Sequence, residues 1–159
     1  MNNIEAFSLS SSTFEPGGTI PSKYTCDGDN ISPPLRISGD VEDARSLALI
    51  MDDPDIPAEA IESLGKNTFD HWVVFNIPTS TTAVAEGADP EGVLGLNDRG
   101  ELGYTGPCPP DREHRYIFKL YALDTELELH EGAKKSEVLE QMQGHILAET
   151  ELIGRYERE

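Results

Sequence analysis

The sequence has few basic residues and few cysteines, and it has no long apolar run. Only 12 lysines and arginines stand against 30 aspartates and glutamates, which gives a formal net charge of −18. Nucleic acids and anionic membranes bind proteins through basic surfaces, so this charge argues against both as partners. No apolar run approaches the ~18 residues of a transmembrane helix. A strong acidic excess is also consistent with solubility in a salty cytoplasm.

Two cysteines, Cys26 and Cys108, are too few for a disulfide framework. Both lie in loop-like segments rich in Gly, Pro and Asp, so a disulfide between them is one alternative. Two reduced, partly buried thiols are the alternative that we favour. The chain begins with Met-Asn-Asn-Ile-Glu-Ala-Phe, which has neither the basic nor the apolar region of a signal peptide. We therefore expect a cytoplasmic protein.

Apolar residues alternate with other residues in five segments, and this alternation predicts β-strands. The alternation is weak over residues 4–10 and 35–38 and strong over residues 46–51, 69–77 and 114–123. The polar, Gly-rich residues 79–100 are predicted to form a loop. With 159 residues, we expect a single domain over residues 1–159.

Two short helices are predicted, one over residues 58–64 and one that starts from an N-cap at Ser136 and ends before Gly144. The apolar residues of 146–156 fit a helix or a strand about equally, and the residue preferences there favour a helix. The expected fold class is mainly β, an antiparallel β-sandwich with long loops and one or two short helices.

Polar residues lead two of the strong strands, and the period of two assigns them to faces. In residues 69–77, one face is predicted to carry His71, Val73, Phe75 and Ile77, and the other Trp72 and Val74. In residues 114–123, His114 and Tyr116 lead a face that continues into apolar core. Because each histidine begins a strand beside a turn-rich segment, we predict that the two share one site.

Three kinds of chemistry are compatible with two histidines near the Asp53 and Asp55 carboxylates. A metal site could use two imidazoles and a carboxylate, but the ligands would come from three separate segments with no closely spaced His pair. The sequence also gives little support for a catalytic nucleophile. The chain has no Gly-x-Ser-x-Gly elbow, and Cys108, near His114, has no helix N-terminus to lower the pKa of its thiol.

Binding of a phosphate or carboxylate suits these residues best. Imidazoles, a Tyr hydroxyl and loop N–H groups can surround an anion, with Asp53 or Asp55 orienting an imidazole. We expect such binding to weaken as the pH rises through about 6.5, the ordinary histidine pKa. Arg115 points away from His114 in the predicted strand, so we expect it to form a structural ion pair.

Several motifs then resemble the phosphatidylethanolamine-binding protein family, and its bacterial and archaeal Raf kinase inhibitor-like branch in particular. They are Tyr24-Thr-Cys-Asp-Gly28, Ser32-Pro-Pro-Leu35, Asp53-Pro-Asp-Ile-Pro57, His71-Trp72-Val-Val, Asn76-Ile-Pro78, Gly103-Tyr104-x-Gly-Pro-Cys-Pro-Pro110 and His114-Arg-Tyr116. The likeness runs from about residue 5 to 157 in the family's order.

The resemblance implies an antiparallel β-sandwich with a small anion pocket at one end. It places Asp53, His71, His114 and Tyr116 in that pocket and the backbone of residues 106–110 on its rim. It also implies that residues 146–156 form a strand. Ile56 and Asp70 depart from the family's usual residues, and the C-terminal helix of the eukaryotic relatives is absent, which implies a more open pocket.

We therefore expect a non-enzymatic binding protein without a cofactor, whose ligand is a small anion such as phosphate or a phospho-head group. The predicted ligand-binding residues are Asp53, Asp55, His71, Gly106, Cys108, Pro110, His114 and Tyr116. One alternative is a regulator of kinases or proteases that uses the same pocket. Another is a small hydrolase or metal-binding protein. Whether the protein is a monomer or a homodimer is left open by the sequence.

Overall fold

A computed structural model describes residues 6–158 of the chain. Its strands are β1 (Ser8–Ser10), β2 (Leu35–Ser38), β3 (Ser46–Asp53), β4 (Phe69–Ile77), β5 (Ala83–Val84), β6 (Val93–Leu94), β7 (His114–Leu123) and β8 (Ile146–Tyr156). Its helices are α1 (Ala58–Leu64) and α2 (Lys135–Met142), and residues 22–24 form one turn of 3-10 helix.

The strands form two antiparallel sheets. The smaller sheet has the order β1-β2-β5, and the larger has the order β6-β4-β3-β7-β8. Long apolar strands occupy the centre of the larger sheet, where every residue of β3 is buried. The predicted mainly-β antiparallel fold with two short helices is therefore confirmed.

Two apolar cores lie on the two faces of the larger sheet. The core between the sheets includes Leu49, Trp72 and Phe118, and residues of the 14–24 segment close it at one side. The core on the other face includes Ile50 and Phe75 and is covered by α2. Because both faces are covered, β3 is apolar at consecutive positions rather than at alternate ones.

Most predicted elements are present, with differences at their ends. The strand at 146–156 follows the family resemblance and not the helical preference of its residues, because β8 pairs with β7 along ten registered positions from Leu123 to His114. The predicted N-cap Ser136 is wrong, because helix α2 begins at Lys135 with Lys134 as its N-cap, and the Glu137 side chain accepts the backbone N–H of Lys134 at 3.0 Å. Residues 79–100 contain the short strands β5 and β6. The first part of the strand expected over 4–10 lies outside the described residues.

Strand β4 contains two extra residues relative to its partner β3. One lies between Asp70 and Trp72, whose partners in β3 are consecutive, so His71 forms a β-bulge. The other lies near Asn76, whose φ is 53°. A bulge reverses the side on which the following residues point, so the simple alternation predicted for this strand fails.

The prediction that His71 shares a face with Val73 and Phe75 is wrong for this reason. Val73 and Phe75 pack in the core beneath α2. His71 instead packs edge-on against Tyr116 in the region between the sheets, with ring centroids 5.3 Å apart. Ile77, which was predicted on the same face, likewise packs in the core between the sheets. Within residues 6–158, no helix is long and apolar enough to cross a membrane.

Candidate functional site

A cavity of about 190 Å³ lies at the end of the larger sheet where β3 ends and β4 and β7 begin. Seven of the predicted site residues line it: Asp53, His71, Gly106, Cys108, Pro110, His114 and Tyr116. Ile56, Pro57 and Ala60 close one wall, so the turn after β3 and the start of α1 belong to the site. The structure thus brings both histidines onto one cavity, as the sequence predicts.

Asp55 is the predicted site residue that does not line the cavity. Its carboxylate accepts two hydrogen bonds from the Arg115 guanidinium, both at 2.9 Å, and one from the Arg115 backbone N–H. These bonds lower the pKa of Asp55 to about 2. Asp55 therefore ties the turn after β3 to β7, and the prediction that Arg115 forms a structural ion pair is confirmed.

His114 lies between two carboxylates. Its Nδ1 is 2.6 Å from Oδ2 of Asp53, and its Nε2 is 2.6 Å from Oδ1 of Asp111. Both ring nitrogens of His114 are therefore occupied by neighbouring carboxyl groups. Asp53 is buried, and burial raises the pKa of its carboxyl while the hydrogen bond from His114 opposes that rise. The hydrogen bond from His114 lowers the pKa of the more exposed Asp111.

The ring of His71 has a different environment, with a backbone carbonyl as its partner. Its Nδ1 donates to the carbonyl oxygen of Thr105 at 2.8 Å, because a carbonyl can only accept. Burial lowers the pKa of His71 to about 4, so near neutral pH the ring is uncharged and Nε2 is an acceptor. Among the described residues, Nε2 has no hydrogen-bond partner. His71 therefore does not supply the titration that we expected near pH 6.5.

Tyr116 contributes a hydroxyl without a partner. The residue is fully buried among protein atoms, and its hydroxyl has no hydrogen-bond partner within residues 6–158. Burial raises the pKa of the phenol, so the hydroxyl stays protonated and can donate. The ring lies between the two histidines, 5.3 Å from His71 and 6.3 Å from His114 by ring centroids. A buried donor left unpaired costs stability, which is typical of a position that meets a ligand.

The rim at residues 106–110 offers fewer backbone donors than the sequence suggested. The N–H of Gly106 donates to Oδ1 of Asn30 at 2.8 Å. Glycine is needed there, because a Cβ would meet Asn30 and the carbonyl oxygen of Tyr24. Three of the next four residues are prolines and have no N–H. In this segment only the N–H of Cys108 remains to face a ligand, so the expected cradle of several N–H groups does not form.

A disulfide joins Cys26 to Cys108, so the expectation of two reduced thiols is wrong. The bond links segments separated by 82 residues and fastens the rim to the 22–28 turn. The backbone adds to this link, because the N–H of Cys26 donates to the carbonyl oxygen of Pro107 at 3.1 Å. The irregular segment 13–34 therefore serves as the outer support of the cavity rim.

Behind the cavity, the neighbours of two site residues form a buried ionic cluster. Asp52 and Asp70 precede Asp53 and His71 and pair across β3 and β4. Lys135 of α2 joins them, with its Nζ 3.2 Å from Asp52 and 2.8 Å from Asp70. Lys119 also reaches Asp52, and Lys66 reaches Asp70 and Asp98. The cluster fixes the two strand ends from the face opposite the cavity.

Sequence reasoning missed two polar residues of the site. Asp111 follows the Pro109-Pro110 pair and reaches His114 from three residues away, which no periodicity reveals. Arg99 lines the cavity from the turn at residues 97–100, although it was predicted only as part of a turn. Within residues 6–158, no group of three or more His, Cys, Asp and Glu side chains could hold a metal ion.

Comparisons with known proteins agree with this architecture. The model of a family described as phosphatidylethanolamine-binding protein matches residues 10–157. A protein of Methanothermobacter thermautotrophicus, named UPF0098 protein, is 53% identical over 156 residues, which cover 94% of this chain and 98% of that protein. That name states no activity.

Two crystal structures are similar over nearly the whole chain. The phosphatidylethanolamine-binding protein homologue CT736 of Chlamydia trachomatis is 46% identical with a TM-score of 0.90, covering 97% of this chain and 99% of its own. YbcL of E. coli, described as a member of the mammalian family, is 30% identical with a TM-score of 0.85. That similarity covers 96% of this chain and 99% of YbcL.

Proposed function

The chain belongs to the phosphatidylethanolamine-binding protein family, and on this premise we propose that it is a non-enzymatic binding protein whose cavity holds a small phosphate-type anion. The observation that carries this proposal is the hydroxyl of Tyr116, a buried donor without a partner among the described residues, on a side chain that lines the cavity. Such a donor is satisfied by an acceptor that the ligand brings.

The donor and acceptor in the cavity wall suit a phosphate group that carries one proton. The Tyr116 hydroxyl can donate to an unprotonated phosphate oxygen. Nε2 of the neutral His71 can accept from the P–OH group, since Nδ1 is committed to Thr105. A phosphate that enters fully deprotonated must take up a proton to meet this acceptor. For a phosphate monoester, which loses its last proton at about pH 6, the expected weakening of binding at higher pH then reflects this ligand pKa rather than the titration of His71.

The nature of the polar groups supports binding rather than covalent chemistry. The Cys108 sulfur is tied in a disulfide and is not a nucleophile in this state. His114 has both nitrogens committed to carboxylates, so it cannot act as a general base while these contacts last. His71 has a free Nε2, but among the described cavity residues no serine or free thiol lies beside it.

The test is an isothermal titration of inorganic phosphate into the protein at pH 7. We expect binding by the wild type and loss of binding in the double variant His71→Ala/His114→Ala, whose fold is checked by circular dichroism. Equal affinity in a folded double variant would refute the proposal. A phosphoryl group on a protein partner would meet the same donor and acceptor, so titration with a phosphopeptide tests the kinase- or protease-regulator alternative. An esterase screen tests the hydrolase alternative.

The disulfide bears on the compartment in which the protein works. Disulfides persist in oxidising compartments and are rare in the cytoplasm, where intracellular proteins of hyperthermophiles are the main exception. We propose that the protein works where Cys26 and Cys108 stay oxidised. Alkylation of thiols in freshly lysed cells measures their state, and free thiols would instead favour the cytoplasmic location expected from the sequence.

A further inference from the structure

The charges that line the cavity do not favour an anion until Arg99 is counted. His71 is uncharged near neutral pH, and the ring of His114 lies between the carboxyl groups of Asp53 and Asp111. The described residues in hydrogen-bond contact with this ring are therefore acidic, Asp53 in the wall and Asp111 beside His114, and include no lysine or arginine. An anion entering this space needs a cation, and Arg99 is the arginine that lines the cavity.

Arg99 differs from the other arginines at this end of the molecule in having no carboxylate partner. Four of them lie within 4 Å of a carboxylate: Arg112 with Asp111, Arg115 with Asp55, Arg155 with Glu113 and Arg158 with Asp27. Among the residues described, no carboxylate pairs with the Arg99 guanidinium, although the preceding residue is Asp98. The carboxylate of Asp98 is instead occupied by Lys66 at 2.8 Å.

The turn that carries Arg99 is fixed against β4. The backbone N–H of Asp98 donates to the carbonyl oxygen of Asp70 at 2.9 Å, and the N–H of Asp70 donates to Oδ2 of Asp98 at 2.6 Å. Buried Asn97 accepts the N–H of Arg99 at 2.9 Å and donates to the carbonyl oxygen of Gly103 at 2.9 Å. A cation held on a fixed turn loses little further backbone entropy when it binds a ligand.

Arg99 is also close enough to the cavity wall to act on its electrostatics. Its charge is among the influences that lower the pKa of His71, after the larger effect of burial. Asp70, which fixes the Arg99 turn, is the residue directly before His71. The turn that carries Arg99 and the strand that carries His71 are therefore connected through Asp70. A phosphate held by His71 and Tyr116 would lie in the cavity that Arg99 also lines.

We infer that Arg99 pairs with the phosphate oxygens at the mouth and makes the site selective for phosphate monoesters whose other end carries no positive charge. This inference rests on the proposed function. A guanidinium binds phosphate oxygens strongly through paired N–H groups. The same charge repels an ammonium group on the ligand, so methyl phosphate is preferred to phosphoethanolamine although their phosphate groups are alike.

The experiment compares inorganic phosphate, methyl phosphate and phosphoethanolamine by isothermal titration at pH 7.5. For the wild type we expect methyl phosphate to bind several-fold more tightly than phosphoethanolamine. Arg99→Gln should weaken methyl phosphate by about tenfold or more, in line with a charge-assisted hydrogen bond, and should narrow the preference between the two monoesters. Arg99→Lys keeps the charge without the paired donors and should retain part of the preference.

The matched control is Arg36→Gln, which removes an exposed arginine from β2 and should leave both affinities unchanged. An Arg99→Gln protein with wild-type affinities and preference overturns the inference alone. A wild type that binds none of the three probes overturns the proposed function and this inference together. An equal loss for all ligands in Arg36→Gln and Arg99→Gln would mean that only the net charge of the protein matters, which also overturns the inference.

A phosphate monoester can come from solution or from a lipid head group. Vesicles of phosphatidylcholine with and without phosphatidic acid distinguish these sources, because the head group of phosphatidic acid is a monoester. If the protein binds only the vesicles that contain phosphatidic acid, the phosphate monoester that it recognises belongs to a lipid. If it binds only the soluble probes, the monoester is a free metabolite. Either result supports the inference when Arg99→Gln weakens the binding that is observed.

Discussion

His71 and Trp72 are consecutive residues of β4, yet both side chains point into the region between the two sheets. The bulge at His71 makes this arrangement, since regular alternation would send one of the two to the opposite face. Trp72 packs in the apolar core and donates its indole N–H to Asp89 at 2.9 Å. The side chain of His71 therefore lies in the cavity wall. The candidate site therefore depends on the bulge at His71, one of the two irregularities of β4.

Replacing Tyr116 with Phe should separate binding from stability. The change removes a buried hydroxyl that has no partner in the described residues, so the free energy of unfolding should stay the same or rise by about 1–3 kcal/mol. Phosphate affinity should fall by about tenfold or more, because a hydrogen bond to a charged ligand is lost. Denaturant unfolding and isothermal titration measure the two effects. Tyr121→Phe, on the same strand but facing α2, is the control and should bind normally.

Replacing Asp111 with Asn should tighten phosphate binding several-fold. The Asp111 carboxylate lies on Nε2 of His114, at the position where an anionic ligand would be attracted by the ring. Asn keeps the shape and removes the competing charge. The exposed pair of His145 and Asp124, 2.7 Å apart at another surface, supplies the control Asp124→Asn. Weaker binding by Asp111→Asn would show instead that the carboxylate helps to hold the ligand.

Stability should depend on the buried neutral state of His71. Its folded-state pKa of about 4 lies below the ordinary value of 6.5, so between these values the unfolded chain binds more protons. The free energy of unfolding therefore rises with pH across this window and is lost as the pH falls through it, by about 3 kcal/mol for this group. Guanidinium unfolding at pH 7 and pH 4.5 measures the change. The His71→Gln protein should show a smaller loss than the wild type, and equal losses would contradict the prediction.

Replacing Lys135 with Met should destabilise the fold and leave the cavity chemistry intact. The ammonium of Lys135 joins Asp52 and Asp70, two buried carboxylates that pair across neighbouring strands. We expect a loss of about 3 kcal/mol, at the lower end for a broken buried pair because Lys66 and Lys119 remain. Lys134→Met, at the exposed neighbouring position, is the control. Thermal unfolding measures the difference, and a loss no larger than that of Lys134→Met would argue against the role of the cluster.

The sequence predicts those features that depend on regular alternation. Strand β3 is predicted with the correct faces, and the pairing of His114 with Tyr116 on one face of β7 is correct. Helix α1 is predicted at its observed bounds because Pro57 and Gly65 mark its ends, and Gly65 has φ of 73°. These signals are local, so the amino-acid sequence is sufficient to predict them.

The remaining features depend on contacts between distant segments. No local pattern shows that Cys26 meets Cys108 or that the turn of Arg99 lies against β4. The helical preference of residues 146–156 gave way to pairing with β7, since long-range hydrogen bonds outweigh weak intrinsic preferences. The family resemblance supplied this strand, and the residues by themselves favoured the wrong element.

The double hydrogen bond between Asp70 and Asp98 has a consequence for how a ligand enters. The turn of Arg99 cannot swing outward without separating both bonds and disturbing Lys66, which binds the same two carboxylates. The rim at residues 106–110 is fixed at Cys108 by its disulfide with Cys26. A ligand therefore meets a cavity rim that is held at two separate points.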